Sequence, residues 1–323
     1  MNAERAARWF VLGLALGVPL AILAVSWLRP AQTLELHARM AESGGWTPDA
    51  LIVKAGEPLR LRLTSDDVLH GLAVGQTDWP AVDVFPGKVT ETTLTFDRPG
   101  TYTFYCTRWC GVNHWRMRGT IEVTGETTVE PAITPPLYVT LGIDIDRPHP
   151  AATTPARRPS AGRGAALGVT LPMEYLTQEY YRSHAPMEVW RSLRAEPFMT
   201  SLSDDDVWDL VAFAWESNTS PEAIGEGGKS YAANCAACHG EQGGGDGVMA
   251  EALVKQLSTG MGHEAQAPAS FIDAASMLGA SPALLQGKII RGGMGTGMPA
   301  WGAIFTEPQT WALVDYLWTF QFD

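Results

Sequence analysis

Two thiols, an imidazole and a thioether lie close together in the first half of this chain. They are Cys106, Cys110, His114 and Met117, spaced C-x3-C-x3-H-x2-M. Thiolate and thioether sulfur are soft ligands that select copper or iron–sulfur clusters, and cysteine and histidine with a weak methionine suit electron-transfer copper. A mononuclear site of that kind uses one cysteine, whereas two thiolates can each bridge two metals. The spacing therefore indicates a pair of copper ions.

A dinuclear site also needs a second imidazole, so that each copper has two sulfurs, one histidine and one weak axial ligand. His70 is the best candidate because it follows a strand-like alternation of leucines. The backbone carbonyl of Arg108 would complete the set. The alternatives are a disulfide between Cys106 and Cys110 in an exported protein, or two buried thiols. Neither alternative requires histidine and methionine at these spacings.

With His70 included, the motif resembles the CuA domain of subunit II of haem-copper oxidases. The surrounding residues 67–74, 86–87, 98–102 and 119–123 are most similar to the short, single-anchor variety of that subunit. The resemblance implies a cupredoxin-like β-sandwich over residues 45–125 and a dinuclear CuA centre. The copper ligands that it implies are His70, Cys106, the carbonyl of Arg108, Cys110, His114 and Met117.

Arg108 departs from the pattern of that family. Many members carry glutamate there, and its carboxylate also helps to hold a magnesium ion at the interface with the catalytic subunit. Arg108 can still offer its carbonyl to copper. The acidic magnesium ligand is absent at this position.

A second redox motif, C-x-x-C-H, occupies residues 235–239 and is the attachment signature of c-type haem. Cys235 and Cys238 can each form a thioether to a haem vinyl group, and His239 is then the proximal iron ligand. The alternatives are a redox C-x-x-C pair or half of a zinc site. No βαβ pattern and no second Cys/His pair accompanies the motif, so we predict one covalently bound haem c.

Met298, followed directly by Pro299, is the predicted sixth ligand of the haem iron, and Met294 is the alternative. An axial His/Met pair raises the haem potential and suits an electron carrier. From about residue 221 to 323 the chain resembles a class I cytochrome c domain. The resemblance implies an all-α fold there.

A partial repeat precedes this domain. Trp208 and Trp215 have the spacing of Trp311 and Trp318, which predicts that residues 173–217 resemble the back half of a cytochrome c domain without C-x-x-C-H. His184 and Met199 could be interpreted as ligands of a second haem. An amphipathic helical pair packed on the real cytochrome is the favoured interpretation.

Two further segments complete the predicted architecture. Apolar residues alternate with period two between about 51 and 123 and are interrupted by Pro-Gly turns, as in an antiparallel sandwich. Residues 126–170 are rich in Pro and Ala and show no periodicity, which predicts a semi-extended linker that tethers two domains without fixing their geometry.

Residues 1–30 are predicted to be a cytoplasmic N-terminus and a transmembrane anchor. The run Trp9–Leu28 has no charge and is long enough to span a bilayer, and Arg5 and Arg8 before it predict an N-terminus inside the cell. The alternative is a cleaved signal peptide, with a poor site at residues 24–26. The fold class expected is thus a multidomain chain: a transmembrane helix, an all-β cupredoxin-like sandwich and an all-α cytochrome c domain.

The net charge and the cysteine count of the chain exclude some classes of function. A formal charge of −12 argues against nucleic acid, which attracts basic surfaces, and suits a basic protein donor. All four cysteines belong to the two motifs, so no structural disulfide is expected. We predict the subunit through which electrons enter a terminal respiratory oxidase, a cytochrome-c oxidase. It would be held by a single pass in a bacterial cell membrane, with its copper and haem domains on the periplasmic side.

The expected partners are a soluble or membrane-bound donor, the membrane and a catalytic, oxygen-reducing membrane subunit. The corresponding subunit of a CuA-containing nitric oxide reductase would have the same ligands, and a free periplasmic shuttle would follow if the N-terminus were cleaved. Nitrous oxide reductase shares the copper motif. Its tetranuclear cluster, however, needs about as many histidines as the seven in this chain.

Overall fold

The computed structural model describes residues 32–111, 113–126, 134–261, 266–293 and 296–323. Strands dominate the described chain up to residue 124, and helices dominate it from residue 137 onward. Each part has its own cluster of buried apolar side chains. The predicted order of a β-sandwich followed by a helical region is therefore confirmed.

The sandwich contains nine strands within the described residues. They form a four-stranded sheet in the order β2-β1-β4-β7 and a five-stranded sheet in the order β3-β9-β8-β5-β6. Side chains from both sheets share one core. The strands are β1 Gln32–Ala38, β2 Trp46–Thr47, β3 Ala50–Lys54, β4 Pro58–Ser65, β5 His70–Val74, β6 Val82–Val84, β7 Val89–Thr95, β8 Gly100–Cys106 and β9 Arg118–Thr124.

Strand β4 shows why the sequence forms a sandwich. Its leucines Leu59, Leu61 and Leu63 are 0–1% exposed, while Arg60 between them is exposed. Successive side chains of a strand point to opposite faces, so this alternation buries one face only. Each fully buried leucine contributes about 1.5–3 kcal/mol relative to an exposed one. The period-two pattern thus fixes which face of the strand lies in the core.

Three neighbouring strands bring the predicted copper ligands to one end of the sandwich. Strand β8 ends at Cys106, and β9 begins directly after Met117, whose carbonyl accepts a hydrogen bond of 3.0 Å from the Cys106 amide. The loop 107–117 is therefore closed at its base by paired strands. His70 begins β5, which pairs with β8 in the register Leu72 to Cys106.

The helical part contains eleven α-helices within the described residues. Most are short, and three begin with a proline, whose fixed φ suits the first helical turn. The helices are α1 Leu137–Thr140, α2 Ala161–Ala166, α3 Gln178–Ser183, α4 Pro186–Ala195, α5 Asp204–Glu216, α6 Pro221–Asn234, α7 Ala236–His239, α8 Ala250–Met261, α9 Ala274–Met277, α10 Pro282–Arg291 and α11 Glu307–Trp318.

Two helix crossings in this part are built in the same way. A Cβ at Gly227 of α6 would lie 1.9 Å from the carbonyl oxygen of Ala312 in α11. A Cβ at Gly164 of α2 would lie 2.2 Å from the carbonyl oxygen of Asp209 in α5. In both pairs only glycine lets the two backbones approach so closely. The pair α2–α5 therefore repeats the crossing of the pair α6–α11.

The partial repeat predicted over residues 173–217 thus begins earlier, with α2. Trp215 and Trp318 occupy equivalent places in the two units and meet edge to face, with ring centroids 5.8 Å apart. Side chains of both units belong to one core. The first unit consequently packs on the second.

The prediction of an extended linker over residues 126–170 is wrong for its described part beyond residue 133. Ile145 is buried in the helical core, and the Ala151 amide donates a hydrogen bond of 2.7 Å to the carbonyl of Ala275. Asp146 forms a bidentate ion pair with Arg291, with both distances 2.5 Å. Isolated apolar residues hold this segment as an irregular strap. A periodicity criterion detects helices and strands but not such packing.

Asp209 fastens the end of the strap to α5. Its carboxylate is 1% exposed and accepts hydrogen bonds from Arg157, Arg163 and the Ser160 amide, at 2.7–2.9 Å. We expect Asp209→Asn to lower the free energy of unfolding by about 2 kcal/mol. That value is below the usual cost of breaking a buried pair, because both arginines are nearly half exposed. Chemical denaturation measures the change.

The control for this prediction is Glu216→Gln, at the exposed end of the same helix. It removes one carboxylate charge from α5 without removing a buried acceptor. The control should unfold like the unaltered chain. Equal stability of all three proteins would show that the Asp209 cluster does not hold the strap.

The predicted membrane anchor, residues 1–30, lies outside the described residues. Among the residues that the structure does describe, none forms a helix with the length and apolar character needed to cross a bilayer.

Candidate metal centres

Five predicted ligands meet at the end of the sandwich. The Sγ atoms of Cys106 and Cys110 are 4.0 Å apart, and Nδ1 of His70 lies 3.7 Å from the first of them. Nδ1 of His114 and Sδ of Met117 lie 3.4 Å and 3.2 Å from the Cys110 sulfur. All five side chains are buried. The structure therefore gathers two sulfurs, two imidazoles and a thioether in one cluster shielded from water.

The sixth predicted ligand, the carbonyl of Arg108, lies beside the cluster at 3.3 Å from the Cys106 sulfur. The side chain of Arg108 turns away and forms a bidentate ion pair with Asp83, at 2.7 Å and 3.0 Å. The backbone of Arg108 therefore faces the cluster while its side chain binds Asp83. The carbonyl can serve as a copper ligand even though the side chain is an arginine.

Asp67 holds His70 from behind. Its Oδ1 lies 2.7 Å from Nε2 of His70, so that Nδ1 is the ring nitrogen that faces the sulfurs. The other carboxylate oxygen accepts a hydrogen bond of 2.7 Å from the Met40 amide. A carboxylate on the distal nitrogen is the usual partner of a metal-binding histidine, because it fixes the tautomer and the ring orientation.

The electrostatics of the cluster are strongly coupled. The contact with the Cys110 thiol lowers the pKa of Cys106, and the same contact raises the pKa of Cys110. Burial opposes a charge on His70, but its contacts with Cys106 and Asp67 together raise its pKa. The cluster therefore readily carries one thiolate. A divalent or monovalent soft cation is the natural way to neutralise such a buried charge.

The second motif opens on a cavity of about 360 Å³ in the helical part. Cys235, Cys238, His239 and Met298 all line this cavity. Small-molecule and cofactor sites are commonly cavities of this order of volume. The strap contributes Ile145 to the wall.

His239 is oriented for metal binding by the backbone. Its Nδ1 donates a hydrogen bond of 2.9 Å to the carbonyl of Ala269, which leaves Nε2 as the free ligand atom. The ring stacks on Phe271, with centroids 4.6 Å apart. Burial lowers the pKa of His239 and raises the pKa of Cys235 to about 12. The imidazole is therefore neutral, as an iron ligand must be.

Met298 follows a backbone turn that requires glycine. Gly297 has a φ of 78° and Gly292 a φ of 74°, values in the left-handed region that other residues rarely adopt. The Gly293 amide donates a hydrogen bond of 3.1 Å to the carbonyl of Met298 and closes this turn. The alternative ligand, Met294, lies outside the described residues.

Comparisons with known proteins match the two halves of the chain to two families. Residues 26–124 match the family model of the cytochrome c oxidase subunit II periplasmic domain, and residues 224–321 match that of cytochrome c. The chain is therefore similar to a subunit II periplasmic domain in its first part and to cytochrome c in its last part.

Two curated relatives, both cytochrome c oxidase subunit 2 from Thermus thermophilus, are 39% identical to this chain over 84 residues, 26% of its length. The match spans 62% of one relative and 49% of the other. Among solved structures, the periplasmic domain of subunit II of cytochrome oxidase from Bradyrhizobium japonicum is 19% identical. That alignment covers 30% of this chain and 86% of the other, with a TM-score of 0.26.

A chain of a haem-copper terminal oxidase dimer is 24% identical, over 38% of this chain and 100% of the other, also with a TM-score of 0.26. These relatives are oxidoreductase subunits by name. The subunit II domain implies copper and the cytochrome c domain implies haem. The soft, buried donor cluster fits the first group, and the cavity between His239 and Met298 fits the second.

Sequence reasoning missed the groups that orient the ligands. Asp67 was overlooked as a partner of His70, although its place three residues before that histidine was visible. The carbonyl of Ala269 and the Trp46 indole, which donates a hydrogen bond of 3.2 Å to the carbonyl of Met117, carry no signal in the sequence. Only the fold brings these groups to the ligands.

We expect Asp67→Asn to weaken copper binding about 10–100-fold, the usual effect of removing such a partner. An amide is a poorer acceptor than a carboxylate and leaves the His70 ring less firmly oriented. Competition with a chelator of known copper affinity measures the change. The matched control is Asp66→Asn, since Asp66 is exposed and pairs with Arg39 instead. An unchanged affinity in Asp67→Asn would contradict the role of this carboxylate.

Proposed function

We propose that this chain is the subunit through which electrons enter a terminal haem-copper oxidase. The observation that carries the proposal is the buried cluster of two sulfurs, two imidazoles and a thioether within a subunit II domain. A cytochrome c domain on the same chain supplies a second one-electron centre. The chain would accept electrons from a donor and deliver them to a catalytic subunit that reduces oxygen.

The copper ligands proposed are His70, Cys106, the Arg108 carbonyl, Cys110, His114 and Met117. When bound, a copper pair held by these residues would supply reversible one-electron chemistry. The residues of this chain would hold the metals with little movement, because strands β5, β8 and β9 anchor the ends of the ligand loop. Little ligand movement on a change of charge favours rapid electron transfer.

Cys235 and Cys238 are proposed to attach one haem c covalently, with His239 and Met298 as the axial ligands of its iron. The haem supplies reversible one-electron chemistry at the potential that a His/Met pair raises. Burial keeps His239 neutral, the Ala269 carbonyl and the Phe271 ring orient it, and Met298 lines the same cavity. These features suit electron transfer rather than binding of oxygen.

The proposed setting follows from the same domains. The predicted anchor over residues 1–30 would hold the chain in a bacterial cell membrane with both domains on the periplasmic side. The proposed partners are a catalytic oxidase subunit within the membrane and a soluble or membrane-bound donor. Purification of the tagged chain from its native membrane tests this setting. A co-purifying haem protein that reduces oxygen is expected, and recovery of the chain alone in the soluble fraction would contradict it.

We expect the purified chain to contain copper and haem iron in a ratio near two. The donor cluster has ligands for two copper ions, whereas the chain has a single C-x-x-C-H motif. Elemental analysis gives the ratio, and a haem stain after denaturation shows whether the haem is covalently bound. A ratio near one would mean a mononuclear copper site, and loss of the stain would exclude thioether attachment.

A further inference from the structure

The outer face of the β8–β9 pair lies directly behind the copper cluster. Tyr105 pairs with Arg118 across these strands, and each is the chain neighbour of a proposed ligand, Cys106 or Met117. Side chains alternate between the two faces of a strand. The ligands therefore point into the sandwich, while Tyr105 and Arg118 point out, and Tyr105 packs on the core of the helical part.

Arg118 reaches the segment that follows the proposed haem ligand Met298. Its Nη1 donates a hydrogen bond of 2.9 Å to the carbonyl of Ala300, and its guanidinium lies over the Trp301 ring, 5.0 Å from the centroid. A charged donor on a backbone carbonyl makes a strong hydrogen bond.

The turn after β5 forms hydrogen bonds to the same segment, which follows Met298, at a second place. The Gln76 amide donates to the carbonyl of Ile304 at 2.9 Å, and its side-chain Nε2 donates to the carbonyls of Gly302 and Phe305 at 2.8 Å and 2.6 Å. Residues 300–305, which we name the docking loop, therefore make four hydrogen bonds to the sandwich through backbone carbonyls. Such contacts fix both position and orientation.

Gly75 shows how close the two surfaces are. A Cβ at this position would lie 2.6 Å from the carbonyl oxygen of Ala303 and 2.7 Å from Cα of Ile304. Its φ is outside the left-handed region, so the turn itself would accept alanine. Glycine is thus required here by the contact with the docking loop and not by the local backbone.

We propose that the docking loop is seated permanently on this face and that Arg118 links the two metal-binding segments for electron transfer. The link runs from Met298 through Pro299 to the Ala300 carbonyl, across one hydrogen bond to Arg118, and along the backbone to Met117. This inference rests on the proposed function. One electron lost on the haem side is the one electron gained on the copper side, and Arg118 keeps its proton throughout.

The fixed contact between the docking loop and the sandwich, which we call the seat, differs from the loose tether predicted from residues 126–170. A tether would leave transfer dependent on encounters between two mobile domains. A fixed seat makes the fraction of docked molecules close to one, so the rate no longer depends on linker length. The chain then behaves as one electron-transfer unit.

Gly75→Ala in the full chain loaded with copper and haem tests the seat. The added methyl group should push the docking loop away while leaving every proposed ligand in place. We expect hydrogen exchange at the Gln76 amide to rise about tenfold, the effect of losing one net hydrogen bond. Transfer from haem to copper, started by a flash-excited ruthenium reductant, should slow in proportion to the lost docked fraction. Gly225→Ala, an exposed helical glycine with open space around it, is the matched control.

Arg118→Leu tests the role of Arg118 in electron transfer separately from the docking of the loop. Gln76 still holds the loop in this variant, so exchange at its amide should stay near the unaltered value while transfer slows. Raised exchange with unchanged transfer in Gly75→Ala, or unchanged transfer in Arg118→Leu, would overturn the link. No change in exchange in Gly75→Ala would overturn the seat. If the unaltered chain protects the Gln76 amide but passes no electron between its centres, the seat stands and the proposed function fails.

Discussion

Cys110→Ser is expected to abolish the dinuclear copper site and not merely to weaken it. The Cys110 sulfur lies within 4.0 Å of Cys106, His114 and Met117 and is therefore the hub of the cluster. A serine oxygen is hard and weakly acidic, so it cannot bridge two soft metals. The variant should hold at most one copper per chain. Its copper resonance should show one nucleus instead of the seven-line pattern of an electron shared between two.

Two controls distinguish loss of the copper site in Cys110→Ser from unfolding of the chain. The haem content of the same preparation reports on the helical part, which has its own core. Arg108→Ala is the matched control within the loop, because only the carbonyl of Arg108 faces the cluster while its side chain pairs with Asp83. This control should retain both coppers. A seven-line resonance in Cys110→Ser would show that the second thiolate is not a ligand.

The clustering of the candidate copper ligands could be predicted because most of them lie close together in the sequence. Four of them occupy one loop, and the chemistry of thiolate, thioether and imidazole restricts the metal before any fold is known. His70 required one further assumption, that its strand lies next to the strand ending at Cys106. The pairing of Leu72 with Cys106 satisfies that assumption. The sandwich followed from period-two alternation, as in Leu59, Leu61 and Leu63.

The contacts between distant segments could not be predicted in this way. Asp146 pairs with Arg291, and Gln76 bonds to Gly302, across 145 and 226 residues. Neither pair leaves a periodic pattern, since each depends on where two irregular segments happen to meet. The Pro- and Ala-rich composition of 126–170 indicated little regular structure, and the described part of the segment contains two short helices. It could not show that the segment packs, because irregular backbone packs through a few apolar and charged side chains.

Met298→Ala and His114→Gly should interrupt electron flow at two different steps, the first at the haem and the second at the copper. Removing the Met298 sulfur should lower the potential of the haem by roughly 0.2 V, within the range that axial ligands span. The donor then no longer reduces the haem, and the copper stays oxidised. His114→Gly removes an imidazole that lies 3.4 Å from the Cys110 sulfur and leaves the haem pocket untouched. The haem should then accept electrons and keep them.

Stopped-flow spectra of the intact complex distinguish the two blocks, because haem and copper absorb at different wavelengths. After addition of reduced donor, Met298→Ala should show neither band changing at the normal rate, whereas His114→Gly should show a reduced haem that is not reoxidised by oxygen. The order donor, haem, copper, catalytic subunit requires both results. Rapid haem reoxidation in His114→Gly would mean that electrons leave the cytochrome c domain without passing the copper. Normal copper reduction in Met298→Ala would mean that the donor reaches the copper directly, and the haem would then lie beside the path instead of on it.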